Sequence, residues 1–170
     1  MRAATRASAG AAALALGLAC GYGFSQRYVA KGGAERVHVR AFENLSTEPE
    51  LGVAVTAALR TELSRRGAAA GEGGAAIEGD VRASEPVPAS TRASPTPPAS
   101  AGPEIGTWRI SVEVRARLVQ GGATVAEHVA RREGAFLAGG DPLETEGRRA
   151  LALRRLAAEA AGEVLRAFER

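Results

Sequence analysis

Between Trp108 and Leu118 the chain alternates without a break. Trp108, Ile110, Val112, Val114, Ala116 and Leu118 fall on one side, and Arg109, Ser111, Glu113, Arg115 and Arg117 on the other. Strict period-two patterning of this length is a strand with one apolar and one polar face. The apolar face must be covered by a second layer, while the polar face is left to water or to a partner. An all-helical bundle and a sheet buried on both faces are thereby excluded.

Two segments supply the covering layer. Leu51, Val55, Leu59 and Leu63 recur at four-residue spacing behind Thr47-Glu48-Pro49-Glu50. That lead-in predicts Thr47 as helix cap, Glu50 reaching back to it and Pro49 in the first turn, with Gly67 as the stop. Late in the chain Asp141 is the predicted cap, Pro142 the first helical residue and Glu144 the box partner. Leu153, Leu156, Ala157, Ala160, Val164 and Phe168 make the apolar stripe of this second helix.

The remaining strands are weaker signals. Arg36–Phe42 alternates, with Val37, Val39 and Ala41 on one side. Ala75–Ala83 does the same through Ile77 and Val81. Gly121-Gly122 predicts a tight turn into a returning strand, Ala123–Phe136, with Val125 and Val129 inward and a bulge near Glu127 and Arg131. Residues 84–106 hold six of the eight prolines among Ser, Thr and Ala. Such a stretch buries too little apolar surface to offset its ordering entropy and is expected to be a mobile insert. The expected fold is an α/β (α+β) two-layer sandwich: a mixed four-stranded sheet with two helices on one face, in the order β-α-β-β-β-α, forming a single domain over 35–170.

Catalytic chemistry has little to work with. The 170 residues include one Cys and two His, His38 and His128, both expected at the surface. That leaves neither a Cys-based zinc cluster nor a convincing general base, and no metal or cofactor is expected. Glu43 beside Asn44, and Glu48 near Glu50, suit a turn and a helix start better than a carboxylate pair, because no nucleophile converges on them. The expectation is a non-enzymatic protein.

The N-terminus is a processing segment. Arg2 and Arg6 precede the apolar run Ala7–Ala19, which is far shorter than the roughly 20 residues that cross a bilayer. Residues 1–19 are therefore expected to be a signal peptide. Without them the charge of +3 falls to about neutral, since 20 basic residues then face 19 acidic ones. Cys20, the lone cysteine, stands right after the run in a setting that resembles the bacterial lipobox, with Gly17 and Leu18 as departures. It is the expected lipidation site, followed by a lipidated tether over 20–34.

Cys20-Gly21-Tyr22-Gly23-Phe24, the run Val37 to Leu51, Ala57 to Leu63 and Asp141 to Leu151 together resemble the LptE family of lipopolysaccharide-assembly lipoproteins. Cys20-Gly21-Tyr22-Gly23-Phe24 resembles the start of its mature chains. Val37 to Leu51, containing Phe42-Glu43-Asn44 and Thr47-Glu48-Pro49, is similar to its first strand, turn and helix start. Ala57 to Leu63 and Asp141 to Leu151 extend the likeness. The resemblance implies an outer-membrane, lipid-anchored, periplasm-facing lipoprotein. Its implied partners are an LptD-like β-barrel, which it would plug, and lipopolysaccharide. The runner-up is a generic envelope lipoprotein serving as a scaffold in another complex. The export signal argues against nucleic acid.

Within that reading the arginines carry the functional content. Arg109, Arg115 and Arg117 share a strand face, and Arg131 and Arg132 lie on the neighbouring strand. Guanidinium groups bind phosphate bidentately and keep their charge, so this set is the candidate lipopolysaccharide contact. A solvated face with Glu113 and Glu133 as ion-pair partners accounts for the same residues equally well.

Overall fold

A computed structural model describes residues 28–72, 74–92 and 104–170. The expected signal peptide, Cys20, the tether through Arg27 and residues 93–103 of the expected insert lie outside the described residues.

The long alternating segment is the axis of the sheet. Five elements precede it: β1 (Val37–Val39), β2 (Glu43–Asn44), α1 (Leu51–Arg65), β3 (Ala75–Ala83) and β4 (Val87–Arg92). It is itself β5 (Glu104–Gln120), followed by β6 (Ala123–Leu137) and α2 (Pro142–Phe168). β5 is shared along one side by β3, opposite Val112–Gln120, and by β4, opposite Glu104–Arg109, both antiparallel. Its other side carries β6, also antiparallel. β1 and β2 continue the sheet by pairing in parallel with β3.

Among the described residues the sheet therefore has six strands and not the expected four. One reason is a break in the first strand. Phe42 turns into the core, where its N–H donates to the buried Thr56 hydroxyl at 3.0 Å, and that hydroxyl donates to the Gly52 carbonyl at 2.7 Å. Pairing with β3 lapses there and resumes at Glu43. The other reason is β4, formed by the proline-rich stretch itself. Pro88 lacks an N–H but sits on an edge strand, where none is needed, and the ladder shifts register on either side of Ser90. The mobile-insert expectation thus does not hold for Val87–Arg92.

One sheet face meets the helices. Ile110, Val112, Val114, Ala116 and Leu118 are buried against α2 and α1, which contribute Leu153, Leu156, Val164, Leu165 and Phe168, and Leu51, Val55, Leu59 and Leu63. Each large apolar side chain buried this way contributes roughly 1.5–3 kcal/mol. The Asp141 cap of α2 forms as the sequence predicts, accepting from the Glu144 N–H at 2.8 Å, but the Glu144 carboxylate accepts from the Gly140 N–H at 2.6 Å, one residue before the cap. The α1 cap does not form. Glu50 is the N-cap, but its side chain makes no capping hydrogen bond to the helix backbone, and the Thr47 hydroxyl turns to Glu85 instead.

The domain starts earlier than residue 35. Tyr28 and Ala30 are fully buried, the Lys31 N–H donates to the Phe168 carbonyl at 2.7 Å, and the Arg170 N–H to Val29 at 2.9 Å. Residues 28–34 belong to the core edge and not to the tether.

The β5–β6 turn is as expected. Gly121 and Gly122 have φ of +60° and +83°, the pair of positive values a two-residue hairpin turn requires. The bulge lies closer to that turn than expected, between Leu118 and Val119, where the partner strand skips Val125. Beyond it the even residues of β6 face the helices. Val129, expected inward, is on the outer face, and Val125, also expected inward, is the skipped residue and partly exposed.

Candidate functional site

Alternation places Arg109, Glu113, Arg115 and Arg117 of β5 on the sheet face away from the helices. The register sets them beside the neighbouring strands: Arg117 opposite Glu78 and Glu127, Arg115 opposite Asp80 and Val129, and Glu113 opposite Arg82 and Arg131. Opposite charges thus face one another across the strands. The contacts follow that lattice. Glu78 accepts from Arg40 at 2.6 Å and from Arg117 at 3.3 Å. Arg115 donates to Glu113 at 3.0 Å, and Arg131 pairs with Glu133 at 3.3 Å.

Arg40, Arg82, Arg109, Arg115, Arg117 and Arg131 share this face with Glu43, Glu78, Asp80, Glu113, Glu127 and Glu133. It is polar and balanced in charge, not a basic patch. A shallow trough of about 580 Å³ runs between Arg40, Glu78, Asp80, Arg115 and Arg117. Exposed pairs of this kind contribute little stability each, so these side chains are free to exchange partners with an incoming polar surface.

Of the five arginines singled out from sequence, the structure brings four to this face: Arg109, Arg115, Arg117 and Arg131. Arg132 is on the other side. With the bulge behind it, Arg132 points under α2 and pairs with Glu163 at 2.6 Å. His128 also faces α2, its Nε2 lying 3.1 Å from the same carboxylate, and is half-buried instead of at the surface. The acids near the α1 start have a structural use: Glu48 pairs with Arg149 of α2, and Glu50 with Arg154 at 3.1 Å. Among the described residues no group of three His, Cys, Asp or Glu is placed to hold a metal ion. No described helix is long and apolar enough to cross a membrane.

Sequence reasoning missed a second cluster, where the chain enters the domain. The fully buried Tyr28 ring lies under Arg66, which pairs with Glu62 at 2.8 Å and Glu169 at 3.0 Å. Burial, and then the Glu169 charge, push the Tyr28 phenol up to about 12, against the pull of Arg66. Hydrogen bonds from Arg65 first, and Arg66, hold Glu62 down to about 2. The available signal was the aromatic pattern of Tyr22, Phe24 and Tyr28, which composition alone assigned to a tether.

A family model described as LptE, lipopolysaccharide-assembly, matches residues 34–168. The chain belongs to the LptE family. Its coarse role is that of a lipopolysaccharide-assembly lipoprotein. No curated sequence relative matches the chain. Among solved structures, a candidate lipoprotein from Caulobacter crescentus CB15 is similar at 15% identity and a TM-score of 0.56, covering 79% of this chain and 89% of that one. Rare lipoprotein B from Shewanella oneidensis is similar at 11% identity and a TM-score of 0.50, covering 76% and 91%. At these identities the likeness is one of fold: two helices on one face of an open mixed sheet, as in this LptE-family chain.

Proposed function

We propose that this LptE-family protein is acylated at Cys20 after loss of residues 1–19, and is held at the periplasmic side of the outer membrane. There it partners an LptD-like β-barrel, sits partly in the lumen as a plug, and contacts lipopolysaccharide on its way out, with no enzymatic step of its own. The family match over nearly the whole described domain carries this reading. The sheet face adds a physical reason. A barrel lumen is lined by polar side chains, and a face that mixes Arg with Glu and Asp offers partners of either sign to such a wall. Arg109, Arg115, Arg117 and Arg131 are the proposed contacts to lipid A phosphates, and Arg132, engaged by Glu163, is left out. Two or more acyl chains, at roughly 0.8 kcal/mol per buried CH₂, give a stable anchor without a transmembrane helix.

The test is affinity purification of the tagged chain from its own membranes in mild detergent. Stoichiometric recovery of a lipopolysaccharide-export barrel is the expected result. Recovery of a different envelope complex without that barrel would favour the scaffold reading.

A further inference from the structure

β6 closes the sheet on one side, and among the described residues nothing pairs with its outer edge. The direction of its free groups follows from two bonds. The Ser111 carbonyl accepts from Ser84 on the β3 side, and the Gly106 carbonyl accepts from Ala138 on the β6 side. Alternation then sends the backbone groups of even β5 residues to β6, and those of odd β6 residues outward. Glu127, Val129, Arg131 and Glu133 therefore offer N–H and C=O at the edge, with their side chains on the outer sheet face. The ladder is regular over these residues.

We propose that in the chain not seated in a barrel this edge pairs with the same edge of a second copy, antiparallel about a two-fold axis through Val129. The side chains select both occupant and register. About Val129, the exposed Val129 of one copy meets that of the other, and Glu127 of each stands opposite Arg131 of the other, twice. Moving the axis to Arg131 sets Arg against Arg. An axis at Ala130 sets Glu127 against Glu133, and one at Arg132 stacks the two Arg132 side chains on the helix side. Like charges directly opposite oppose pairing, so these alternatives are disfavoured. The flanking helix repeats the complementarity. Arg155 lines the α2 flank beside Phe136 and Leu137, and the same stripe continues at helical spacing through Glu159, Gly162 and Arg166. At the level of Val129, where Glu163 bonds His128, two antiparallel α2 helices meet with Gly162 between them and Glu159 facing Arg166 of the other. The interface is isologous, so it closes at two copies.

The full chain, purified in detergent, tests this by sedimentation equilibrium across its concentration range. The wild type is expected to show a reversible monomer–dimer equilibrium. Glu127→Arg alone and Arg131→Glu alone should each raise the dissociation constant at least tenfold. An equimolar mixture of the two variants should regain the wild-type value, because in the mixed dimer opposite charges again face each other at both positions. Val129→Cys should be captured as a covalent dimer by a short bifunctional thiol cross-linker, while Leu143→Cys, more exposed but on α2, should not. A wild type monomeric throughout, or variants whose dimers fail to respond to charge reversal and mixing, overturns the proposal. Circular dichroism of each variant separates loss of pairing from loss of fold, and barrel recovery in the purification above reads out independently.

Discussion

The guanidinium carbon of Arg66 lies 5.7 Å from the centre of the Tyr28 ring, and this contact joins the start of the domain to the end of α1. Glu169, from just past α2, completes the clasp through Arg66. The chain that arrives from Cys20 is therefore fastened at one defined place, beside the C-terminal ends of both helices. Tyr28→Ala should cost about 3–5 kcal/mol, as removal of a buried aromatic does. Tyr28→Phe should be neutral or stabilising, because the buried hydroxyl has no hydrogen-bond partner among the described residues and its desolvation is uncompensated. Urea denaturation of both variants checks the pair.

The same cluster sets a pH dependence with two limbs. Tyr28 has its folded pKa raised from 10.0 to about 12. Below pH 10 both states keep the proton. Between 10 and 12 the unfolded chain loses it first, so stability falls as pH rises, by about 2–3 kcal/mol from this group. Glu62 is the opposite case, lowered from 4.5 to about 2. Its contribution is present above pH 4.5 and lost as pH falls towards 2. Tyr28→Phe should flatten the alkaline limb and Glu62→Gln the acid limb, read from midpoints of thermal unfolding against pH.

Gly79 lies on β3 opposite the gap in the broken first strand. A β-carbon placed there would stand 1.9 Å from the Arg115 carbonyl oxygen and 3.0 Å from the Phe42 ring. Backbone cannot yield as a side-chain tip does, so Gly79→Ala should destabilise by about 1–3 kcal/mol and disturb β3 pairing. A lowered melting temperature, with amide exchange speeded first around Asp80 and Ala116, is the expected signature.

How much of this was legible follows from where local and tertiary effects agree. The faces of β5 were readable because both of its sides are paired and its apolar face is wholly covered. β6 was misread at Val129 because a single bulged residue, Val125, reverses every side chain beyond it, and sequence does not fix where the bulge falls. The same slip took Arg132 from the outer face and gave it to Glu163. β4 was hidden by composition: proline is compatible with an edge strand, but only the sheet shows that an edge exists. Tyr28 was lost because a tether and a clasp can share the same few residues.

The helix starts offer a direct comparison. Asp141 and Thr47 both read as caps, but only Asp141 accepts a backbone N–H of its helix. Asp141→Ala should therefore cost about 1 kcal/mol, whereas Thr47→Ala should cost less than about 0.5 kcal/mol, since it removes only an exposed bond to Glu85. Denaturant midpoints measured side by side settle the difference.

Arg115 and Arg117 test the proposed lipopolysaccharide contact. Their side chains are two residues apart on the outer face, about 7 Å along the strand, and both are more than half exposed. Each already has a carboxylate partner, Glu113 and Glu78, so a phosphate must compete with an existing ion pair. Exposed pairs are weak, at about 0–1 kcal/mol, and a doubly charged phosphate held by two guanidiniums outcompetes them. The double change Arg115→Glu with Arg117→Glu should weaken binding of purified lipopolysaccharide at least tenfold. Binding by the wild type should also weaken as salt is raised. The fold should survive, because neither side chain enters the core, although the new carboxylate of Arg117→Glu, set between Glu78 and Glu127, should lower the melting temperature slightly. Unchanged binding at low salt in a folded double variant would reduce these arginines to members of a solvated charge lattice.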